Sequence, residues 1–427
     1  MNFSLDGSAK SELRKASRNG LDDCLKALGA AGGNRRWIRK GNRYRLACGE
    51  RYSDDARRHT VNEGHLREYV AASGPAHVVD GWSLLGRALD SAIRRDTYAA
   101  VHFAYYAELR AAMALLACEG IGVFNRKHAV VSPTRTIPLS KSPGTHELAH
   151  LAIKHWSELA RAASLLDEIV APGGIGFSRW LEACHVTAPL RAIGKKWLRS
   201  WGLDLAVLSD DKGLRNLASY RPSLFRLPPP IKQADLVEFF QQLWRLLEPS
   251  PVGRFPSLEL HLLRKALRVA GVSTPTPANL TTLGLSEEEA RDWVSLLTSN
   301  GEPLPLAEAD RQTTIENPRC HLQVISRASL LLYVATRAAG RLLSKSGCTR
   351  DSLSFWWHGF GDTRGFLDAS SLPESPLDTW ADVETALQDL GAVRTDGLTF
   401  RAFRLNHSRA LAELGACDMI AVWGLVP

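Results

Sequence analysis

Three stretches of this chain carry residue types at spacings that can do chemistry. The first is His146-Glu147-Leu148-Ala149-His150. On a helix, residues four apart share a face, so His146 and His150 can hold Zn²⁺ while Glu147 polarises its bound water as general base. Glu168 is a candidate third ligand, with Glu158 and Glu182 equally available, and Ile153 and Trp156 stand where a longer zinc motif has Gly and His. Thr145 reads as the N-cap, which puts both imidazoles at the start of the helix. The competing reading is two partly exposed histidines that bind nothing.

The second stretch is Asp211 to Pro222, DKGLRNLASYRP. Arg215 can grip a phosphate with two parallel N–H donors while Asn216 orients it. A metal-independent ribonuclease also needs a base for the 2′-hydroxyl. Tyr220 stands roughly where such a base would serve, and a phenol with its pKa near 10 is a poor one at neutral pH. The structural reading makes Arg215 a helix cap and Tyr220 a core residue. The third stretch is NRRWIRKGNRYR, in which Arg35, Arg36, Arg39, Lys40, Arg43 and Arg45 surround Trp37 and Tyr44. Gly41-Asn42 between two β-favouring runs predicts a hairpin. Its alternating Arg and aromatic side chains suit a phosphate backbone and stacked bases. As an edge hairpin the same charges guard against aggregation.

These stretches need elements to position them, and the strongest is Asp96 to Gly120. Tyr98, Val101, Tyr105, Leu109, Ala112 and Leu116 recur at three- and four-residue spacing, and Phe103, Tyr106 and Met113 widen the stripe. This predicts a helix buried on more than one side. Two helices are expected before it, near His65–Ala72 and Gly81–Arg95. The second pairs with it antiparallel across a tight turn at Arg95-Asp96. IGVFN, KHAVVSP and TRTIPLS predict a small β insertion after Gly120. A helix runs from Thr145 to Leu166, and others cover about 178–200, 233–248, 258–271, 285–299, 319–345, 377–390 and 407–416. SDDARRHT (53–60) reads as a linker, and LTFRAFRL and IAVWGLV read as strands.

The 427 residues divide into an expected basic module (1–60), a helical bundle (61–250) and a mostly helical C-terminal domain (251–427), with PSPVGRFPS as the best boundary. A net charge of +8 permits a polyanionic partner. Seven scattered cysteines without a C-x-x-C pair read as reduced thiols. No apolar run reaches the roughly 18 residues that span a bilayer. A cytoplasmic chain without a membrane partner is therefore expected.

HFAYYAELRAAMALLACEGIGVFNRKHAVV, together with the preceding DGWSLLGRALDSAIRRD and the later RNLASYRP, resembles the HEPN superfamily of helical bundles over about residues 65–248. It is most similar to HEPN-like proteins of bacterial genome-defence loci. That resemblance implies a mainly α fold, an antiparallel bundle with small β-hairpin insertions, and no cofactor. It also implies an R-x4-6-H ribonuclease motif at a dimer interface. Arg215-Asn216 match the start of that motif, and its terminal His is absent, with Tyr220 and Arg221 in its place. The implied function is anti-phage defence through RNA or DNA, with an atypical ribonuclease centre, as a subunit of a complex or through self-association. A zinc hydrolase or peptidase at His146, Glu147 and His150, and a non-catalytic scaffold, are the alternatives.

Overall fold

The structure, a computed structural model, describes residues 4–30, 35–125, 127–140, 143–187, 193–220, 231–251, 254–272, 275–299, 301–392 and 399–426. It is 67% helix with one three-stranded sheet, which makes the fold mainly α as expected. The helices are α1 Gly7–Arg14, α2 Lys26–Gly29, α3 Cys48–Arg58, α4 Glu63–Ile93, α5 Thr97–Cys118, α6 Thr145–Ser157, α7 Ala160–Ile169 and α8 Phe177–Ala183. There follow α9 Gly194–Ser200, α10 Leu208–Tyr220, α11 Gln233–Leu246, α12 Pro256–Val269, α13 Pro277–Thr281, α14 Glu287–Thr298 and α15 Leu304–Ala309. The last six are α16 Cys320–Lys345, α17 Arg350–Arg364, α18 Trp380–Gly391, α19 Phe400–Asn406, α20 Ser408–Gly415 and α21 Asp418–Leu425.

Helix α5 is the central rod. The Asp96 side chain caps its first turn by accepting from Ala99 N–H, and fifteen of its residues are buried. Helices α4, α16, α10 and α6 all pack on it. The α4–α5 hairpin forms as the sequence predicts, and Arg95 takes a left-handed φ of 58° to make the turn. Close approach explains the small residues on α4. A Cβ on Gly74 would lie 2.7 Å from Cys118 Sγ, and one on Gly81 would lie 2.4 Å from Leu332 of α16. Helix α16 therefore lies against both arms of the hairpin, and Trp82 Nε1 of α4 donates to Thr336 Oγ1 of α16 at 2.9 Å. Residues on both sides of 250 share this one core.

Several local expectations are corrected. Residues 35–47 form bends and turns rather than a β-hairpin, and 53–58 belong to α3 rather than a linker. The two helices expected over 65–95 are a single α4 that continues through Pro75. The helix expected from Thr145 to Leu166 breaks into α6 and α7, and its N-cap is Gly144. The strands expected near 398–405 and 420–426 are helices α19 and α21. Burial explains the last case: every residue of α21 from Met419 to Leu425 is buried, so a fully apolar run carries no period to separate strand from helix.

The β insertion is present as β1 Ile121–Gly122, β2 Ala129–Val131 and β3 Thr136–Pro138, antiparallel, with Val130 opposite both Ile121 and Ile137. It fixes the start of α6. Phe124 N–H donates to His128 Nδ1 at 3.0 Å, and Nε2 donates to the Pro143 carbonyl at 2.9 Å. Thr145 Oγ1 donates to Phe124 O at 2.9 Å. No helix among the described residues is long and apolar enough to cross a membrane, and all seven cysteines are free thiols.

Candidate functional site

The site lies where α10 and α6 meet the same stretch of α5. Lys212, Arg215, Asn216 and Ser219 recur at three- and four-residue spacing on α10. Asp211, one position before this run, fixes the helix from below. Its carboxylate accepts from Arg327 Nη2 at 2.6 Å and Nε at 2.8 Å, with both side chains buried. Arg327 also donates to the Arg311 carbonyl at 3.1 Å and to Thr313 Oγ1. Glu108 of α5 completes this floor with an oxygen 3.8 Å from Arg327 Nε. Burial, and next the Asp211 charge, push the Glu108 carboxyl well above its ordinary range, toward the neutral form.

Above that floor the Arg215 guanidinium sits on aromatic faces, 5.0 Å from the Tyr105 ring centroid and 5.3 Å from that of Tyr106. Arg215 is buried, and its Nε has no hydrogen-bond partner among the described residues. Tyr105 Oη lies 2.8 Å from His146 Nδ1, and the two rings stack with an interplanar angle of 13°. His150 meets Tyr105 edge-on, with its buried Nε2 unpaired among the described residues. His102 of α5 packs on Tyr106, and its Nδ1 lies 2.8 Å from Ser219 Oγ. One arginine and three imidazoles from three helices thus share one aromatic floor.

The electrostatics favour neutral imidazoles. Burial lowers His146, and the Arg215, Lys212 and Arg110 charges lower it further. Burial and Arg215 lower His102. Burial, Lys212 and His146 lower His150 to about 4. All three are unprotonated at neutral pH, the state a general base requires. Beside this cluster opens a cavity of about 460 Å³, lined among others by Tyr69, Phe124, His77, Arg110 and Thr145. It adjoins the cluster through Thr145, next to His146.

The other sequence candidates lie as follows. Asn216 is exposed on α10, and Tyr220, at the end of that helix, is 78% exposed rather than in the core. Arg221 lies outside the described residues. Glu147 is half-buried on α6. Glu168 pairs with Arg341 at 2.8 Å on α7. Among the described residues no group of three or more His, Cys, Asp or Glu is arranged to hold a metal ion.

The basic stretch is largely engaged in packing. Arg43 donates Nε and Nη2 to the buried Asp55, each at 2.6 Å, and the buried Tyr44 hydroxyl donates to the same carboxylate at 2.9 Å. Arg39 Nε donates to Glu68 at 2.6 Å. Trp37 packs edge-on against Trp356 and Phe355 of α17. Arg35, Arg36 and Lys40 are exposed, and Arg45 is half-buried. His102 and Ser219 escaped sequence reasoning. The only signal for His102 was its place on the tyrosine-rich face of α5.

No family model, no curated protein and no solved structure matches this chain.

Proposed function

We propose that this chain binds RNA and cleaves it at the Arg215 centre without a metal ion, as a defence-associated protein with an atypical HEPN-type site. The observation that carries this reading is the contact chain from Arg215 to Tyr105 to His146. The sequence motif lacks its own histidine after Arg215-Asn216, and α6 and α5 supply imidazoles through space.

The proposed chemistry uses these contacts. Arg215, whose Nε has no hydrogen-bond partner among the described residues, pairs with the scissile phosphate and with the charge that builds on it in the transition state. His146 in the tautomer that donates Nδ1–H to the Tyr105 oxygen carries its lone pair on Nε2. That nitrogen takes the 2′-hydroxyl proton, the 2′-oxygen attacks phosphorus, and the 5′-oxygen leaves with a proton from water. The products are a 2′,3′-cyclic phosphate and a 5′-hydroxyl. Lys212 adds positive charge beside the phosphate, and the adjoining cavity has room for a neighbouring nucleotide. The exposed Arg35, Arg36 and Lys40 lie on the surface as further phosphate contacts.

The test uses purified protein, labelled single-stranded RNA and excess EDTA. Cleavage to cyclic-phosphate ends is expected, with loss in both Arg215→Ala and His146→Ala. Cleavage that survives Arg215→Ala overturns the assignment. RNA binding that is absent at all salt concentrations overturns the nucleic-acid reading altogether.

A further inference from the structure

A second cavity, remote in sequence from Arg215, is built from cations. Its volume is about 320 Å³, and it is lined by Arg254, Arg337, Arg341, Ser344 and Lys345, with Glu168 at its edge. Helix α16 supplies most of one wall, because Arg337, Gly340, Arg341, Ser344 and Lys345 fall at three- and four-residue spacing on one face. The opposite wall is the end of α21. A Cβ on Gly340 would lie 3.0 Å from the Gly424 carbonyl, and one on Gly424 would strike the Thr336 side chain. The two helices therefore approach closely at Gly340 and Gly424, and the cations stand around that contact.

The charges do not balance. Arg341 is matched, by Glu168 at 2.8 Å and Asp22 at 3.0 Å. Arg337 has Glu259 at 3.7 Å, and burial pushes that carboxyl up toward its neutral form. Among the described residues, Arg254 and Lys345 pair with no carboxylate. Structural duties account for only part of these side chains. Arg254 donates Nη1 to the Trp423 carbonyl at 3.1 Å, and Arg337 donates Nε to the Ile169 carbonyl at 2.9 Å. Each guanidinium has five N–H donors, and among the described residues these contacts engage only some of them.

We propose that this cavity is a binding site for a small phosphate-bearing molecule, recognised by Arg254, Arg337 and Lys345. Planar guanidinium forks match phosphate oxygens in pairs, and the volume suits a diphosphate group or a mononucleotide rather than a strand. The inference stands apart from the ribonuclease reading, because it shares no residue with it.

The experiment is isothermal titration of the full chain with sodium pyrophosphate, at constant ionic strength, with sodium sulfate as the matched control. One saturable site is expected for pyrophosphate, weakened about tenfold or more by Lys345→Glu and unchanged by Arg215→Ala. Arg254→Met tests the half-buried fork, with circular dichroism to check folding. Should that variant unfold, Lys345→Glu, on an exposed residue, still decides. Absence of saturable heat, equal affinity for sulfate, or affinity indifferent to Lys345→Glu overturns the proposal. A single-stranded RNA oligonucleotide that competes for the site at one equivalent overturns the small-molecule assignment.

Discussion

Arg327 of α16 holds Asp211 of α10 through two nitrogens, at 2.6 and 2.8 Å, and neither side chain reaches solvent. One turn beyond Asp211, the same helix carries Arg215. The position of the candidate site thus depends on a buried ion pair whose members are 116 residues apart. Removing one partner leaves the other charge buried and uncompensated. Asp211→Ala is expected to cost about 3–5 kcal/mol of stability, read as a drop in the denaturation midpoint. An unchanged midpoint contradicts the role given to the pair.

Glu108 gives a pH signature. Its carboxyl is raised in the folded state relative to the ordinary value of 4.5. The folded chain therefore holds a proton that the unfolded chain releases above about that pH. Its contribution to stability is fully present below 4.5 and is lost as pH rises through the folded value. Glu108→Gln cannot ionise and removes that loss. Melting temperatures across pH 4 to 8 should fall less steeply in this variant than in the parent, and parallel curves refute the assignment.

Tyr105→Phe removes one oxygen and leaves the ring under Arg215. The expected result is a cleavage rate lowered by about tenfold, as for a misplaced base, with RNA affinity unchanged. A loss of affinity with the rate intact shows instead that Tyr105 serves binding alone.

The lowered His146 and His102 fix the sign of the acid limb. Each imidazole has its folded pKa below 6.5, so the base stays unprotonated as the medium is acidified through that value. The cleavage rate should hold its plateau below pH 6.5 before it falls. A limb centred above 6.5 assigns the base to another group. For stability the same shifts work the other way: the unfolded chain takes up protons first, so stability declines as pH drops below 6.5 toward the folded values.

The arginine-rich stretch separates into two classes. Arg43→Ala strips the buried Asp55 of its bidentate partner, and a melting point lower by several degrees is expected. Arg35→Ala with Lys40→Ala changes only exposed charge and should leave the melting point unaltered while reducing the salt dependence of RNA binding. Similar thermal effects in both variants contradict this division.

Some of this was legible in advance. Helix α5 announced itself because its apolar residues recur on several faces at helical spacing, and α16 because its 26 residues are strongly apolar and contain no proline. The Arg-Asn pair singled out a stretch that reads as a structured loop or short helix and that the structure makes the helix α10, and the His-x-x-x-His spacing placed two imidazoles on one face of α6. The basic stretch misled, since Gly41-Asn42 is a strong hairpin signal locally, whereas Asn42 is buried against Glu68 and the His65 carbonyl.

The sequence by itself determined the helical class, the central hairpin and the residue types able to handle a phosphate, because periodicity and turn chemistry act within a few residues. Only the tertiary structure decided that the histidines of α6 face Arg215 through Tyr105, that Glu168 belongs to Arg341, and that Arg43 is spoken for by Asp55. Those pairings join segments far apart in the chain. They are selected by which buried charges and ring faces can satisfy one another once α10, α6 and α16 have closed on α5.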